Sequence, residues 1–508
     1  MTTTGSASAG VSWGSAQARG VLAATVVGSG MAMLDGTIVN VALPKIGGEL
    51  GASVTGLQWV LDGYLLSLAS LILVAGSLGD RYGRRRVFEL GVVWFGLASV
   101  LCGAAPTTGV LVAARVLQGV GGALLTPGSL ALLQSTFRHD DRARAIGAWS
   151  GLGGVAAAVG PLVGGLLVQA WSWRLAFLVN VPVAALCIYL CRKYVPESRD
   201  ASMKGHPDVV GTVLCALGLA GVTGALVEGP ARGLGDPFVL VALVVGVLGL
   251  AAFCVLQIRE RDPLVPPDLF ANRTFTVSNL LTFLMYAALG GVMMLMVMQL
   301  QVSLHYPPVL AGLAGLPITL IMLVGSARSG KLAQRIGPRL QLIVGPILVG
   351  AGMLMLRWAV PGASYLSGVL PGVVVFGLGL VIAVAPVTAT VLAAAPDRHA
   401  GVASGVNNAV ARTGSLLAVA VLPAAAGITG DKYADPTALT AGWQMALLIC
   451  AVAAVAGGVI AFWVDNGVLG EAPTEAVVED SPHPGDCLHC GVEGPPTHVV
   501  PRQVSTVD

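Results

Sequence analysis

The sequence predicts an all-helical integral membrane protein of fourteen spans, arranged as two six-helix bundles with an inserted helix pair between them. The first observation is composition: 55% of the 508 residues are hydrophobic and 11% are charged, against about 25% charged in soluble domains. The second is a series of apolar runs about 20 residues long, each enough to cross a ~30 Å hydrocarbon core. The third is an alternation of basic and non-basic connections between these runs. The net charge of +2 gives no reason to expect a nucleic-acid partner.

The apolar runs define the spans and, with them, the domain organisation. The chain is expected to comprise a cytoplasmic segment 1–19, a bundle 20–191, a linker 192–274 with spans seven and eight, a bundle 275–463 and a disordered cytoplasmic tail 464–508. The tail is rich in Pro, Gly and acidic residues and has too few apolar residues for a core. The fourteen spans are predicted at 20–43, 57–78, 87–105, 109–133, 144–168, 174–191, 208–228, 238–257, 275–300, 310–327, 341–359, 364–385, 402–426 and 441–463.

The distribution of basic residues predicts the orientation. Of the 28 Lys and Arg residues, 21 fall in the N-terminal segment, the tail and every second connection, and 5 fall in the other connections. Cytoplasmic connections carry the excess of Lys and Arg. Both termini are therefore expected in the cytoplasm, in a multi-pass protein of the cytoplasmic membrane. The two remaining basic residues, Arg115 and Arg412, lie within spans.

Two connections carry similar sequences. The loop after the second span reads GSLGDRYGRRRVF from Gly76, and the loop after the tenth reads GKLAQRIGPRL from Gly330. Aligning the two loops places span nine in correspondence with span one and leaves spans seven and eight as an insertion. Internal repeats of this kind are typical of transporters.

Three ionisable side chains fall at a similar depth in the outer half of the first bundle. Asp35 is the acid of the first span, Asp62 lies in the second and Arg115 in the fourth; helix rise places all three roughly 8–12 Å below the outer face. An intramembrane acid is costly and commonly marks an ion or proton pathway. We therefore predict that they form one proton-coupling network in which Asp35 carries the proton. The alternative for Asp62 and Arg115 is a static pair or snorkelling towards the interface.

Polar residues in other spans are candidates for a substrate cavity. Arg412 lies near the membrane middle in NNAVARTGS, and the alternative is an Arg satisfied by backbone carbonyls or Asn side chains. The two acids of the outer half would favour cationic substrates if unprotonated. The candidate cavity residues are Asn40, Gln118, Asn407, Asn408 and Arg412.

Two glycine-containing motifs are candidates for conformational control. The first-half loop is expected to be a gating loop whose acid pairs with an Arg or with a helix N-terminus; the alternative is anchoring by its basic residues. In the fifth span, glycines spaced four apart around a proline predict a close helix contact. The gating residues are Gly76, Gly79, Asp80, Arg81, Gly83, Arg84 and Arg85, and those of the fifth span are Gly160, Pro161, Gly164 and Gly165.

No cofactor or metal is expected. Gly325 to Lys331 matches a nucleotide-binding loop until Leu332 replaces the Ser or Thr that binds Mg²⁺. Cys487 and Cys490 in the tail lack the second Cys pair and the folded frame of a zinc site.

Six stretches of the spans and their connections form an ordered set: GSLGDRYGRRRVF, LDGTIVNVALP, WVLDGYLL, RVLQGVGGALLTPGSLAL, WSWRLAFLVNVP and ASGVNNAVARTGS. Together they resemble the major facilitator superfamily, and specifically its fourteen-helix drug:proton antiporters of the EmrB/QacA type. The resemblance covers about Gly20 to Trp463. It implies that Asp35 couples protons with the help of Arg115, that Gly160 and Pro161 belong to the motif that distinguishes exporters, and that Asp80 belongs to the gating loop.

The expected protein is therefore no enzyme but a proton-driven exporter of amphipathic, drug-like compounds or antibiotics that works by alternating access. Its partners are the small-molecule substrate, protons and the lipid bilayer, and it is expected to function as a monomer. One alternative is a dedicated exporter of a single endogenous metabolite or antibiotic. Another is a non-transporting membrane sensor or scaffold built on the same fold.

Overall fold

The computed structural model describes residues 10–199, 208–260, 263–396, 400–430 and 432–469. These residues are almost entirely helical; their only β-type pairing is an isolated bridge between Val11 and Phe137. The sequence predictions for the tail beyond residue 469, including those for Cys487 and Cys490, lie outside the described residues.

Fourteen helices correspond in order to the fourteen predicted spans. Within the described residues, thirteen are long and apolar enough to cross a membrane. The remaining helix, α5, has 32 residues, of which Val159–Ala170 form an apolar stretch. The helices are α1 Ala16–Leu50, α2 Val54–Tyr82, α3 Arg84–Ala104, α4 Thr108–Thr136, α5 His139–Ala170, α6 Leu175–Tyr194, α7 Val209–Arg232, α8 Pro237–Arg259, α9 Arg273–Ser303, α10 Pro308–Ile336, α11 Arg339–Leu356, α12 Tyr365–Ala393, α13 Ala400–Ala425 and α14 Pro436–Trp463.

Local signals explain where the helices begin and turn. Ser15 and Ser53 cap α1 and α2 by accepting hydrogen bonds from backbone N–H groups of the first turn, which would otherwise lack partners. The turns after α2 and after α10 contain Gly83 at φ +110° and Gly337 at φ +81°. Glycine adopts this backbone region without the penalty a Cβ brings. The two glycines occupy corresponding positions in the sequence repeat, so the repeat has a structural basis.

The pattern of helix contacts also repeats. In the first half α1 packs against α5 and α6, and α4 packs against α2 and α3; in the second, α9 packs against α13 and α14, and α12 against α10 and α11. The halves meet where α2 contacts α13 and α5 contacts α10. Helices α7 and α8 pack on each other, and α7 also contacts α2 and α13. The inserted pair therefore lies beside one of the two seams between the halves.

A packed segment follows Trp463, where the sequence predicts the start of the disordered tail. Val464 is fully buried, and the side chain of Asn466 accepts a hydrogen bond from the Arg339 backbone N–H at 3.1 Å and donates one to the Ile336 carbonyl at 3.0 Å. Residues 464–469 thus form a turn packed against the α10–α11 connection, which hydropathy alone does not reveal.

Candidate functional site

A cavity of about 2750 Å³ lies between the two halves. Small-molecule pockets usually occupy about 300–1,000 Å³, so this one has room for a large ligand together with water. We call the side of the bundle with the helix ends at Arg81, Arg138, Arg192 and Arg339 the basic face, and the other side the opposite face. Residues at the basic-face ends, among them Asp80, Arg81 and Glu260, line the cavity. The cavity is therefore open towards the basic face.

Side chains that bridge the halves close the opposite face. The Gln58 amide of α2 donates hydrogen bonds to the carbonyls of Val419 and Ala420 on α13, at 2.7 and 2.9 Å. Gln301 of α9 donates to the Val41 carbonyl of α1 at 3.0 Å. These bonds must break if the opposite face is to open.

A buried ion pair lies at the inner end of the cavity. Arg115 Nη1 lies 2.6 Å from Asp35 Oδ2, and the two side chains are 1% and 0% exposed. The same guanidinium donates from Nε to the Val60 carbonyl at 3.0 Å and stands over the Tyr64 ring, 4.4 Å from its centroid. Arg115 and Tyr64 line the cavity, whereas Asp35 does not. The structure thus brings Asp35 and Arg115 together, with Arg115 and Tyr64 between the acid and the cavity.

Neutral polar side chains complete this network. Gln118 accepts from Arg115 Nη1 at 2.6 Å and donates to Asp35 Oδ1 at 2.8 Å. Asn180 of α6 donates to the same oxygen at 3.1 Å, and Ser99 of α3 accepts from Gln118 at 2.8 Å. Ser99 and Asn180 are not among the site residues predicted from the sequence. Asn180 could have been selected from the sequence, because an Asn within an apolar span needs hydrogen-bond partners.

Asp62 lies outside the network, contrary to the predicted three-residue cluster. Its side chain is fully buried, it does not line the cavity, and neither carboxylate oxygen has a hydrogen-bond partner among the described residues. Depth along a helix is therefore not enough to place a side chain, because Asp62 shares the depth of the pair but not its direction.

The candidate cavity residues divide into two groups. Asn40, Asn408 and Arg412 line the cavity. Gln118 belongs to the ion-pair network instead, and Asn407 lies in the α9–α13 contact, where it donates to Asn279 and Thr282 at 3.1 and 3.0 Å. The prediction that Asn407 and Gln118 line the cavity is therefore wrong, because both side-chain amides form hydrogen bonds to neighbouring helices.

The predicted gating loop is held by the segment that follows α6. Arg84 Nε forms an ion pair with Asp80 Oδ1 at 2.6 Å. The Glu197 carboxylate accepts a hydrogen bond from the Arg85 backbone N–H at 3.1 Å and lies where a Cβ on Gly83 would approach it to 2.7 Å. The acid of the loop therefore pairs within the motif, and Glu197, which is not among the predicted site residues, supplies the acceptor at the N-terminus of α3. Gly76 and Gly79 lie in the last two turns of α2.

The α5 glycine motif contacts two helices at once. A Cβ on Gly160 would overlap Thr37 of α1, and one on Gly164 would lie 3.0 Å from Ile38. On the other side, a Cβ on Gly165 would lie 2.7 Å from the Val309 Cα of α10, and one on Gly312 would overlap the Pro161 carbonyl. The motif therefore permits close packing of α5 both on its own half and across the seam.

Two repeated helix sets around a cavity that is closed on one face, with a buried ion pair at its inner end, define a membrane transporter. The family model of the Major Facilitator Superfamily matches residues 25–419. The chain belongs to this family.

Several curated relatives carry the names of resistance proteins. The chain is 39% identical to the puromycin resistance protein pur8 of Streptomyces alboniger, over 88% of this chain and 90% of that protein. It is 36% identical to the tetracenomycin C resistance and export protein of Streptomyces glaucescens, over 82% and 77%. A solved peptide transporter POT in complex with sulfate shares 14% identity with a TM-score of 0.65, covering 89% of this chain and 95% of that one, which shows likeness of fold alone.

Proposed function

We propose that this protein exports amphipathic drug-like compounds or antibiotics across the cytoplasmic membrane in exchange for protons, by alternating access. The names of its relatives support drug efflux. In this proposal the basic face is cytoplasmic, both termini are cytoplasmic and one chain is the transporting unit. The two bundles 20–191 and 275–463 are the moving halves, with 192–274 as the linker.

The observation that carries the proton coupling is the Asp35–Arg115 pair. Both charges are buried, so each depends on the other for compensation. A proton on Asp35 cancels its charge and weakens its hold on Arg115, which retains hydrogen bonds to Val60 and Gln118. Because Asp35 joins α1 to α4 and, through Asn180, to α6, protonation changes the packing of the first half. In the arrangement open to the basic face, the proton leaves past Arg115 and Tyr64 into the cavity.

The rest of the cycle uses the contacts between the halves. Proton entry from outside favours the inward-facing arrangement, in which substrate reaches the cavity. Proton release restores the ion pair and favours the outward-facing arrangement. For that change the Gln58 bonds and the α5–α10 contact open, while the basic-face ends close. The Asp80–Arg84 pair and Glu197 keep the α2–α3 loop in one shape as the halves move.

The test is transport by purified protein in liposomes with an imposed pH gradient. The wild type should accumulate substrate against its gradient, and an uncoupler should stop it. Asp35→Asn should abolish gradient-driven accumulation, whereas Glu49→Gln, the same chemical change at the exposed end of α1, should leave it intact. The Asp35→Asn/Arg115→Gln double variant removes the coupling acid without leaving an unpaired charge. Export by either Asp35 variant with an unchanged pH dependence would refute the assignment.

A dedicated exporter of one compound is a second candidate, because several relatives are named for single antibiotics. Accumulation assays with several unrelated dyes and antibiotics separate the two. A multidrug exporter should reduce accumulation of many of them, and a dedicated exporter of few or none.

A further inference from the structure

Arg412 is a cation inside the cavity that has no hydrogen-bond or ion-pair partner in the described part of the chain. It extends from α13, is half-buried and lines the cavity. No described residue gives its guanidinium a hydrogen bond or an ion pair. Arg115 differs, because Asp35 neutralises it and Gln118 and Val60 take its hydrogen bonds.

The surroundings of Arg412 are polar but uncharged. Asn408 and Ser415, about one helical turn on either side of it, line the cavity together with Tyr64 and Tyr286. Arg412 lies about 18 Å along α13 from its basic-face end, by helix rise. The acids that line the cavity, Asp80, Asp208, Glu260 and Asp268, all belong to the basic-face ends of helices or to the connections there.

The acids of the first bundle do not offset this charge. Asp35 is compensated by Arg115, and Asp62 lies outside the lining. The uncompensated charge in the middle of the cavity is therefore positive, contrary to the sequence expectation that two outer-half acids favour cationic substrates.

A guanidinium in this position has a specific chemical preference. Arginine stays protonated and presents a planar set of N–H donors that matches a carboxylate. Hydrogen bonds between charged groups are stronger than neutral ones, especially away from bulk water. An unpaired intramembrane cation is costly, so a ligand that supplies the negative charge gains affinity.

We propose that Arg412 is the subsite for an anionic group of the transported molecule, a carboxylate or phenolate on an otherwise apolar scaffold. The apolar part lies against cavity residues such as Leu289, Met293 and Met322. Tyr64 and Tyr286 offer aromatic faces and hydroxyl groups beside the anion. This inference rests on the proposed export function and narrows its substrates to amphipathic anions.

The test is dye binding to purified protein in detergent, measured by fluorescence anisotropy and requiring no proton gradient. Fluorescein is anionic and rhodamine 6G is cationic, and both carry the xanthene ring system. The wild type should bind fluorescein more tightly than rhodamine 6G, and benzoate should compete with fluorescein better than benzylamine does. Arg412→Gln should weaken fluorescein binding about tenfold or more, as expected for a hydrogen bond to a charged group, without weakening rhodamine 6G binding. Arg412→Lys should retain most of the preference.

Arg328→Gln is the matched control, because Arg328 is exposed on the second half and does not line the cavity. It should leave both affinities unchanged. The inference is overturned if the wild type prefers rhodamine 6G, or if Arg412→Gln weakens both dyes equally. The wild-type comparison decides the question even if the Gln variant fails to fold. Failure of proton-driven transport with the anion preference intact would refute the proposed coupling and leave the subsite standing.

Discussion

The buried Asp35–Arg115 pair makes an asymmetric prediction about stability. Asp35→Asn leaves Arg115 charged, because arginine does not lose its proton in proteins. Breaking a buried pair in this way costs about 3–5 kcal/mol. We expect the lower end, about 3 kcal/mol, because Arg115 keeps its bonds to the Val60 carbonyl and Gln118. This cost should not vary with pH.

Arg115→Gln should behave differently, because the carboxyl of Asp35 can become neutral by binding a proton. That proton must be taken from solution, which costs about 1.4 kcal/mol for each pH unit above the range in which an aspartic acid is ordinarily protonated. The folded variant then holds one proton more than the unfolded chain, so its stability falls as pH rises. From pH 5 to pH 8 the loss of stability caused by Arg115→Gln should grow by up to about 4 kcal/mol.

The assay is thermal unfolding of purified protein in detergent, followed by tryptophan fluorescence at pH 5 and pH 8. At pH 5, Asp35→Asn should lower the apparent Tm by several degrees and Arg115→Gln should lower it by less; at pH 8 both should be low. The Asp35→Asn/Arg115→Gln double variant should be more stable than Asp35→Asn at both pH values, because no unpaired charge remains. Equal, pH-independent losses for the two single variants, with the double variant their sum, would refute the reasoning.

Three further predictions concern backbone contacts and the seam. Gly160→Ala should lower the Tm, because its Cβ would force α1 and α5 apart at a cost of about 1–3 kcal/mol; Gly48→Ala on α1, with no atom within 4 Å of its Cβ, should not. Gly83→Ala should destabilise the protein more than Gly233→Ala, since both glycines have positive φ but a Cβ only at Gly83 would also meet a carboxylate. Equal losses of stability would mean that backbone strain accounts for the whole effect and that the Glu197 contact contributes nothing. Gln58→Leu removes two hydrogen bonds between the halves, so deuterium uptake should rise at the opposite-face ends of α2 and α13, and unchanged uptake would mean that these bonds do not close that face.

The sequence predicts features that belong to a single helix or loop. Every predicted span has a helix in order, although α1 begins at Ala16 and ends at Leu50, well beyond 20–43. The repeated loops place Gly83 and Gly337 in corresponding turns. Sequence also selects Asp35 and Arg115 as residues that need a partner. It does not show that Asn407 is hydrogen-bonded to Asn279, or that Glu197 accepts a hydrogen bond from the α2–α3 loop.

Hydropathy and helix rise are local quantities, so the sequence by itself determined the membrane class, the order of the helices and the depth of each charged residue. The rotation and packing of helices that are distant in the chain decided which charged residues form a pair. Asp35 and Arg115 are 80 residues apart and share one hydrogen bond of 2.6 Å, whereas Asp62, at a similar depth, has no such partner among the described residues. Only the tertiary structure shows that Arg412 reaches the cavity with no ion-pair partner among residues 10–199, 208–260, 263–396, 400–430 and 432–469, because such a partner would come from another helix.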